Sequence, residues 1–289
     1  MRDDFCAFIL THGRPDRVIT FETLRKAGYT GKVYIVIDDE DKTAEQYRAK
    51  FGPLVLQFCK REVAETFDEG DNFPNRKGVI YARNACFDLA RQVGCRYFIE
   101  LDDDYTSMHV RHARDGAFIA GEVKSKCDDL FSAMIDALNA TGASTVCIAQ
   151  GGDYLGGAAS NPVCVRRKAM NTFVCDTERP FQFVGRINED TNTYTSGGRR
   201  GELFMTFVHS HVNQLQTQSN SGGMTDLYLE SGTYVKSFYS VMYCPSAVKI
   251  GVLGDPRSPH LRIHHAINWH RCAAKILREK WSKRHVAHE

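Results

Sequence analysis

Short, nearly continuous apolar runs alternate with longer amphipathic segments along the first third of the chain. Runs of five or six residues that are apolar on both faces are typical of strands buried in a parallel sheet, and they occupy residues 5–10, 33–37, 54–58 and 97–101. Segments with the spacing of helices lie between them, at residues 15–28, 44–51 and 78–93. This order predicts an α/β fold with an open, mostly parallel sheet flanked by helices.

The rest of the chain is less regular. A helix is predicted at 122–140 and a basic amphipathic helix at 266–283, and strand-like pieces occur at residues 145–149, 163–165, 203–207 and 239–242. A glycine-rich segment covers residues 150–157, and polar loops are predicted at 64–75, expected to be mobile, and at 214–223, expected to be exposed. Because no repeat or low-complexity linker interrupts the sequence, we expect a single compact domain over residues 1–289.

Composition excludes several classes of protein. With 289 residues, 43% of them hydrophobic and 25% charged, the chain is neither fibrous nor disordered. It contains no uncharged apolar run of about 18 residues, so no membrane partner is expected. The acidic start resembles neither a signal nor a transit peptide. The ten cysteines are scattered singly, which predicts reduced thiols and a cytoplasmic protein.

The charge of the chain is nearly balanced, at +2. A polyanion partner therefore requires a local basic patch rather than a uniformly basic surface. Residues 256–289 supply one, with eight Lys or Arg against two acids. Lys275, Arg278 and Lys280 in this region could meet a DNA backbone, although a plain packing helix explains the same pattern.

Three consecutive acids follow the fourth predicted strand, at the edge where open α/β sheets bind ligands. Asp102 and Asp104 are two residues apart on an extended chain, so they can approach one ligand together. Their mutual repulsion calls for a cation, and oxygen ligands select Mg²⁺ or Mn²⁺, which commonly bridges to phosphates. The alternative is an acidic turn that caps a helix or pairs with Lys.

Other polar residues follow the predicted strands or face the same edge. Arg14, Arg83 and Asn84 could bind phosphates, although exposed arginines often have no specific role. Asp38 and Asp39 could accept hydrogen bonds from a ribose or a base, or could belong to a helix N-cap region.

Two further features of the second half could carry chemistry. Glu189 and Asp190 follow an aromatic run, and a carboxylate there could remove a proton from an attacking hydroxyl, or cap a helix. His264 and His265 belong to a histidine-rich end whose spacing fits no zinc motif. One of them could complete the hard-metal site or contact a diphosphate.

The order of these motifs resembles the glycosyltransferases of the GT-A fold, and within them the TET-associated glycosyltransferases, proposed to decorate hydroxymethylated pyrimidines in phage DNA. The resemblance spans roughly residues 5 to 270. It is carried by Thr11-His12-Gly13-Arg14-Pro15, Val36-Ile37-Asp38-Asp39, Ala82-Arg83-Asn84, Asp102-Asp103-Asp104, Asn188-Glu189-Asp190 and the ending His264-His265-Ala266-Ile267-Asn268-Trp269.

The resemblance implies a GT-A-type, Rossmann-like domain with a nucleotide-sugar half at about 1–105, an acceptor half at about 106–265 and a C-terminal basic helix at about 266–289. It implies a Mn²⁺- or Mg²⁺-dependent transfer from a nucleotide sugar, most simply a UDP-sugar, to 5-hydroxymethylcytosine or a related base in DNA. An inverting displacement is expected, in the host cytoplasm if the protein is phage-encoded.

The resemblance also implies roles for individual residues. Asp102 and Asp104 would hold the metal together with His264 or His265, and Asp190 would act as base beside Glu189. The donor would be bound by Thr11, Arg14, Asp38, Asp39, Arg83, Asn84 and Asp103. The acidic triplet fits D-x-D in more than one register, so the ligands could shift by one residue.

Other functions share parts of this pattern. A metal-dependent nucleotidyltransferase would use the same sheet and cation, but its phosphate loop is usually rich in glycine, and only Gly13 stands after the first strand. A glycosyltransferase acting on a protein or glycan, and a catalytically inactive DNA-binding module, are the remaining alternatives.

Overall fold

A computed structural model describes residues 1–115, 117–150, 165–215, 235–253 and 262–277. Their strands are β1 Phe5–Leu10, β2 Lys32–Asp38, β3 Val55–Phe58, β4 Tyr97–Asp102, β5 Tyr105–Arg114, β6 Ala117–Glu122, β7 Thr145–Gln150, β8 Phe173–Asp176, β9 Phe204–Gln214, β10 Val248–Leu253 and β11 Arg262–Ile267. Their helices are α1 Ile19–Lys26, α2 Ala44–Phe51, α3 Lys60–Ala64, α4 Ile80–Gln92, α5 Cys127–Thr141, α6 Glu189–Arg199, α7 at residues 235–243 and α8 Trp269–Cys272.

Nine of the described strands form one sheet in the order β3-β2-β1-β4-β8-β7-β9-β5-β6. Strands β3, β2, β1 and β4 are parallel, so their carboxyl ends share one edge. Beyond β4 the sheet is mixed, because β8 runs antiparallel to both β4 and β7 while β7 and β9 are parallel. Strands β10 and β11 pair separately as an antiparallel hairpin.

The sheet is covered on both faces, as α/β folds require. Alternate residues of β1 illustrate this: Phe5, Ala7 and Ile9 pack into the core with helices α1 and α5, whereas Cys6 and Phe8 pack into the core with α4. Complete burial of all six β1 residues explains why this run is apolar on both faces.

The first half of the chain confirms the predicted elements. The strand at 5–10 and the helix at 44–51 have the predicted bounds, and the other predicted strands and helix α4 differ by a few residues at their ends. The predicted α/β architecture, an open sheet flanked by helices, is therefore confirmed, with the parallel pairing concentrated in this half.

Several predictions for the second half are wrong. Residues 239–242 were expected in a strand but lie in helix α7, and residues 122–126 precede helix α5 rather than starting it. The basic helix expected from 266 is also wrong where the structure describes it. Residues 266 and 267 belong to β11, and helix α8 ends at Cys272. Pairing of β11 with β10 supplies backbone hydrogen bonds that override a helical pattern of side chains.

The loop at 65–75 contains no regular secondary structure, but it is tied to the body of the protein. Arg186, which is fully buried, contacts Glu69 and Asp71 at 3.1 and 3.0 Å. Gly185 donates its backbone N–H to the carbonyl of Asp68 at 2.8 Å. A side chain at Gly185 would approach Asn192 to 2.4 Å, and the backbone there has a φ of +76°, so glycine is required.

Some predicted features lie outside the described residues: most of the glycine-rich segment and of the loop at 214–223, two residues of the strand at 163–165, and Arg278 and Lys280. Within the described ranges, no helix combines the length and apolar character needed to cross a membrane.

Candidate active site

Asp102 and Asp104 lie at the carboxyl end of β4, where the parallel half of the sheet ends. The side chain of Asp102 is 28% exposed, and Asp104 is half-buried. Burial raises the pKa of Asp102 to about 7 and raises the pKa of Asp104, and neighbouring aspartate charges add to both increases. Such a pair gains stability from a cation.

Asp103 points in a different direction from its neighbours. It is buried, and its carboxylate accepts a hydrogen bond from the hydroxyl of Thr11 at 2.6 Å and pairs with Arg14 at 3.2 Å. Burial is the main cause of its raised pKa, which the charge of Arg14 opposes. These contacts shape the end of β1, and direct donor binding by Thr11 and Asp103 stays a prediction.

Thr11 and Asp103 are buried, whereas the side chain of Arg14 is partly exposed to solvent. Its side chain is 24% exposed, and its buried Nε has no hydrogen-bond partner. Its backbone N–H donates to the hydroxyl of Tyr47 at 2.8 Å, which fixes the turn after β1. An arginine held by Asp103 with an unused donor suits a phosphate-bearing ligand.

The two aspartates at the end of β2 have different environments. Asp38 is buried and contacts the ring of His12 at 2.7 Å and the ammonium of Lys60 at 3.1 Å. Burial opposes ionisation of Asp38, but His12 and Lys60 more than compensate and lower its pKa. Asp39 is exposed and accepts the backbone N–H of Lys60 at 2.8 Å. Asp39 and the exposed side of His12 are therefore the groups that a nucleoside could reach.

Arg83 joins the acids of the sheet edge to those of α6. It is 1% exposed, and its guanidinium lies 3.2 Å from Asp102, 3.4 Å from Glu100 and 3.0 Å from Glu189. The three carboxylates raise its pKa despite burial. The guanidinium of Arg83 is therefore part of a buried ion-pair network in this arrangement, and donor binding by Arg83 stays a prediction.

Glu189 and Asp190 occupy the first turn of α6. The preceding residue, Asn188, adopts a left-handed conformation with φ of 58°, and it donates to the carbonyl of Lys236 at 2.6 Å. Glu189 is buried on Arg83, and burial together with the charge of Asp190 raises its pKa to about 7. Asp190 is half-buried and accepts the backbone N–H of Thr191 at 2.6 Å. Asp190 is thus the more accessible acid of the pair.

His264 and His265 lie in β11, on the separate hairpin. His265 is 7% exposed, and neither of its ring nitrogens has a hydrogen-bond partner. Burial and the charges of His264, Lys168 and Lys236 lower its pKa to about 3. An unprotonated imidazole with two unused nitrogens is suited to a metal or another electrophilic ligand.

Asn84 and Lys275 are the remaining predicted site residues that the structure describes. The amide of Asn84 donates to the carbonyl of Phe183 at 3.1 Å and accepts its N–H at 2.9 Å, so it holds that segment in place. Its predicted role in donor binding stays a prediction. Lys275 is exposed and follows α8 in irregular backbone. Arg278 and Lys280 lie outside the described residues.

The residues at the sheet edge fit a hard cation. No group of three metal-ligating side chains assembles within the described ranges. Mg²⁺ and Mn²⁺ do not require one, because they commonly take one or two carboxylates and complete their shell with water and phosphate oxygens. Asp102 and Asp104 provide this number, and the raised pKa values show that an added positive charge would be stabilising.

The sequence-based predictions did not include Glu100 or Arg186, although a charged residue at a core position marks each of them in the sequence. Glu100 interrupts the apolar run of β4, and a charge within a buried strand requires a partner. Arg186 likewise is fully buried and anchors the loop at 65–75 through its ion pairs. A charged residue at a core position is the signal that both share.

Comparison with known proteins identifies the family. Residues 5–223 match the model of the TET-Associated Glycosyltransferase family. No protein of curated function matches the sequence. Among solved structures, glucosyl-3-phosphoglycerate synthase from Mycobacterium tuberculosis with Mg²⁺ and UDP is 11% identical, with a TM-score of 0.46 over 92% of this chain and 88% of that one. S. aureus TarS 1–349 is 12% identical, with a TM-score of 0.38 over 72% and 60%.

These structural similarities are weak, and the family assignment depends on the sequence match to the family. That match covers the ends of β1, β2 and β4 and the acids of α6. The chain belongs to the TET-associated glycosyltransferase family.

Proposed function

We propose that this enzyme transfers a sugar from a nucleotide-sugar donor, most simply a UDP-sugar, to the hydroxyl of a 5-hydroxymethylpyrimidine in phage DNA, with 5-hydroxymethylcytosine as the first candidate. The observation that carries the proposal is the position of Arg83. Its guanidinium contacts Asp102 at the ligand edge and Glu189 in the acid pair of α6. One buried side chain therefore joins the proposed donor-binding edge to the helix turn that carries the proposed base.

In this proposal, Asp102 and Asp104 hold Mn²⁺ or Mg²⁺ on the donor diphosphate, and His265 or His264 is a further candidate ligand. The cation would neutralise the charge that develops on the departing nucleoside diphosphate. Arg14 would contact a phosphate through the guanidinium that Asp103 orients. Asp39, with Asp38 and His12 beside it, would accept hydrogen bonds from the nucleoside.

Asp190 is proposed as the base. It is adjacent to Glu189, whose carboxylate is held by Arg83, and it is itself half-buried. The acceptor hydroxyl would lose its proton to Asp190 as its oxygen bonds to the anomeric carbon, while the bond to the diphosphate oxygen breaks on the opposite face. This displacement inverts the configuration at that carbon.

The DNA acceptor is supported by the family to which the chain belongs. A base that reacts at its hydroxymethyl group must leave the duplex or be presented in a single strand. The other acceptors consistent with a glycosyltransferase are proteins and glycans.

The test is to incubate the protein with Mn²⁺, a panel of nucleotide sugars, and DNA containing 5-hydroxymethylcytosine, 5-hydroxymethyluracil or unmodified cytosine. Mass spectrometry of the digested nucleosides should show a hexose or pentose added to one hydroxymethylated base and to none in unmodified DNA. Transfer to protein or glycan acceptors, with none to either hydroxymethylated DNA, would refute the proposal.

A further inference from the structure

A cleft with a volume of about 740 Å³ lies where β10 begins and β11 ends, beside helix α8. We call it the basic cleft, and its walls consist of Arg166 and residues 245–249 and 266–271. Arg166, Lys249, His270 and Arg271 are among these lining residues, which include no Asp or Glu. A concave surface with one sign of charge concentrates ligands of the opposite charge.

The other groups in the basic cleft fit a nucleic acid better than a small anion. Asn268 is exposed and Trp269 is half-buried, so an amide and an indole lie among the cationic side chains. Basic side chains that follow a phosphate backbone, together with aromatic groups that contact bases, are characteristic of sites for single-stranded DNA. The volume also exceeds what a single phosphate requires.

The basic cleft is connected to the proposed catalytic acid by α6. Trp269 stacks on Tyr194, with their ring centroids 5.6 Å apart and an angle of 26° between the planes. Tyr194 follows Asp190 by one helical turn, which is about 6 Å along the helix axis. A strand bound in the cleft would therefore pass close to the base that we propose for the transfer.

We infer that the basic cleft binds the phosphate backbone of the DNA strand beside the acceptor nucleotide. The inference depends on the proposed function for the identity of the partner. It assigns the acceptor to a surface formed by the hairpin β10–β11 and α8. Lys249 is exposed on β10, where a phosphate could reach it, and the guanidinium of Arg271, on α8, is oriented by donation to the carbonyl of Ser246 at 3.1 Å.

The test compares the wild type with the double variant Lys249→Gln/Arg271→Gln. Fluorescence polarisation would follow binding of a labelled single-stranded oligonucleotide containing 5-hydroxymethylcytosine, at roughly 50 to 200 mM NaCl. Loss of two phosphate contacts should weaken binding about tenfold and lower the slope of log K against log salt by roughly 1.4, the value for two contacts to a single strand. Binding of UDP with Mn²⁺ should stay within about twofold of the wild type.

Lys124→Gln/Lys126→Gln is the matched control, because it removes the same charge from exposed positions just before α5. Helix α5 packs on the core cluster of Phe5 and Ile9, whereas Trp269 of the cleft packs on the other cluster, with α4. The control should bind the oligonucleotide as the wild type does. Equal losses in the two variants would mean that only net charge matters, and loss of UDP binding in the cleft variant would assign the cleft to the donor. Either result overturns the inference.

The binding and transfer results together distinguish an error in this inference from an error in the proposed function. If the wild type glycosylates hydroxymethylated DNA but the cleft variant keeps the same affinity and salt slope, the function stands and the inference is wrong. If DNA binding depends on the cleft but no nucleotide sugar gives transfer, the inference stands and the function is wrong. If the wild type binds no DNA, the inference is wrong.

Discussion

The Nε of Arg83 lies 3.0 Å from Oε1 of Glu189, although the two residues are 106 positions apart in sequence. The same guanidinium reaches Asp102 and Glu100. One buried cation thereby holds together the end of β4 and the first turn of α6. The spacing between the proposed metal edge and the proposed base depends on this contact.

Replacing Arg83 with Met should destabilise the fold strongly. The variant would leave three carboxylates without their buried cation, and breaking such a pair costs about 3–5 kcal/mol. The free energy of unfolding from urea titration measures this loss. Arg83→Lys should recover only part of it, because an ammonium cannot match the planar contacts to Glu100, Asp102 and Glu189. A stable Arg83→Met variant would show that the network is not structural.

The acidic triplet offers a matched pair of variants. Asp104→Asn should lower metal-dependent turnover of the donor at least about 100-fold, since it removes a proposed ligand, while the melting temperature stays close to that of the wild type. Asp103→Asn should instead lower the melting temperature, because Asp103 holds Thr11 and Arg14. Calorimetry and a nucleotide-release assay distinguish the two effects. Full activity of Asp104→Asn would remove it from the metal site.

Asp190→Asn should stop transfer while donor binding persists. General-base catalysis contributes about 10²–10⁴-fold, so kcat should fall by that factor. The Kd for UDP with Mn²⁺, measured by calorimetry, should not change. Parallel loss of affinity and rate would mean that Asp190 supports the donor site rather than the acceptor hydroxyl.

The position of Arg83 in the sequence also predicts a buried ion pair, which the phosphate-binding prediction did not consider. Ile80, Arg83, Phe87 and Ala90 follow the spacing of one helical face, and all four are buried. An arginine on a core-facing stripe requires a buried carboxylate, and Glu100 within the apolar run of β4 is the matching anomaly. Reading the two together would have predicted an internal ion pair.

Other parts of the molecule could not be derived in this way. The parallel half was predictable because burial on both faces produces uninterrupted apolar runs. In β11, by contrast, residues 266 and 267 were predicted to start a basic helix, and only pairing with β10 makes them part of a strand. Contacts between residues distant in sequence, such as Arg186 with Glu69, leave no local periodic pattern.

His211 makes the stability of the fold dependent on pH. It is 2% exposed, and burial together with the charge of Arg111 lowers its pKa to about 4, below the value near 6.5 of an unfolded chain. The unfolded state therefore binds a proton first, so this contribution to stability is complete above about pH 6.5 and is lost as the pH falls towards 4.

His211→Gln removes that titration. Between pH 7.5 and pH 5.0, the wild type should lose up to about 2 kcal/mol more of its free energy of unfolding than the variant does. Urea titrations at the two pH values measure the difference. An identical change in both proteins would show that His211 does not titrate in this range.

Arg186 should determine whether the loop at 65–75 is held or open. Its fully buried guanidinium contacts Glu69 and Asp71, and the hydroxyl of Tyr239 on α7 also bonds to Asp71. Arg186→Met would leave both carboxylates without their main cation, and the loop should detach because it has no regular structure of its own. Limited trypsin digestion should then cut at Arg76 or Lys77 much faster than in the wild type, as mass spectrometry of the fragments would show.

Arg179→Met is the control, since Arg179 pairs with Asp176 at the far end of β8. Equal cleavage rates in the wild type and Arg186→Met would mean that the loop is held by its other contacts.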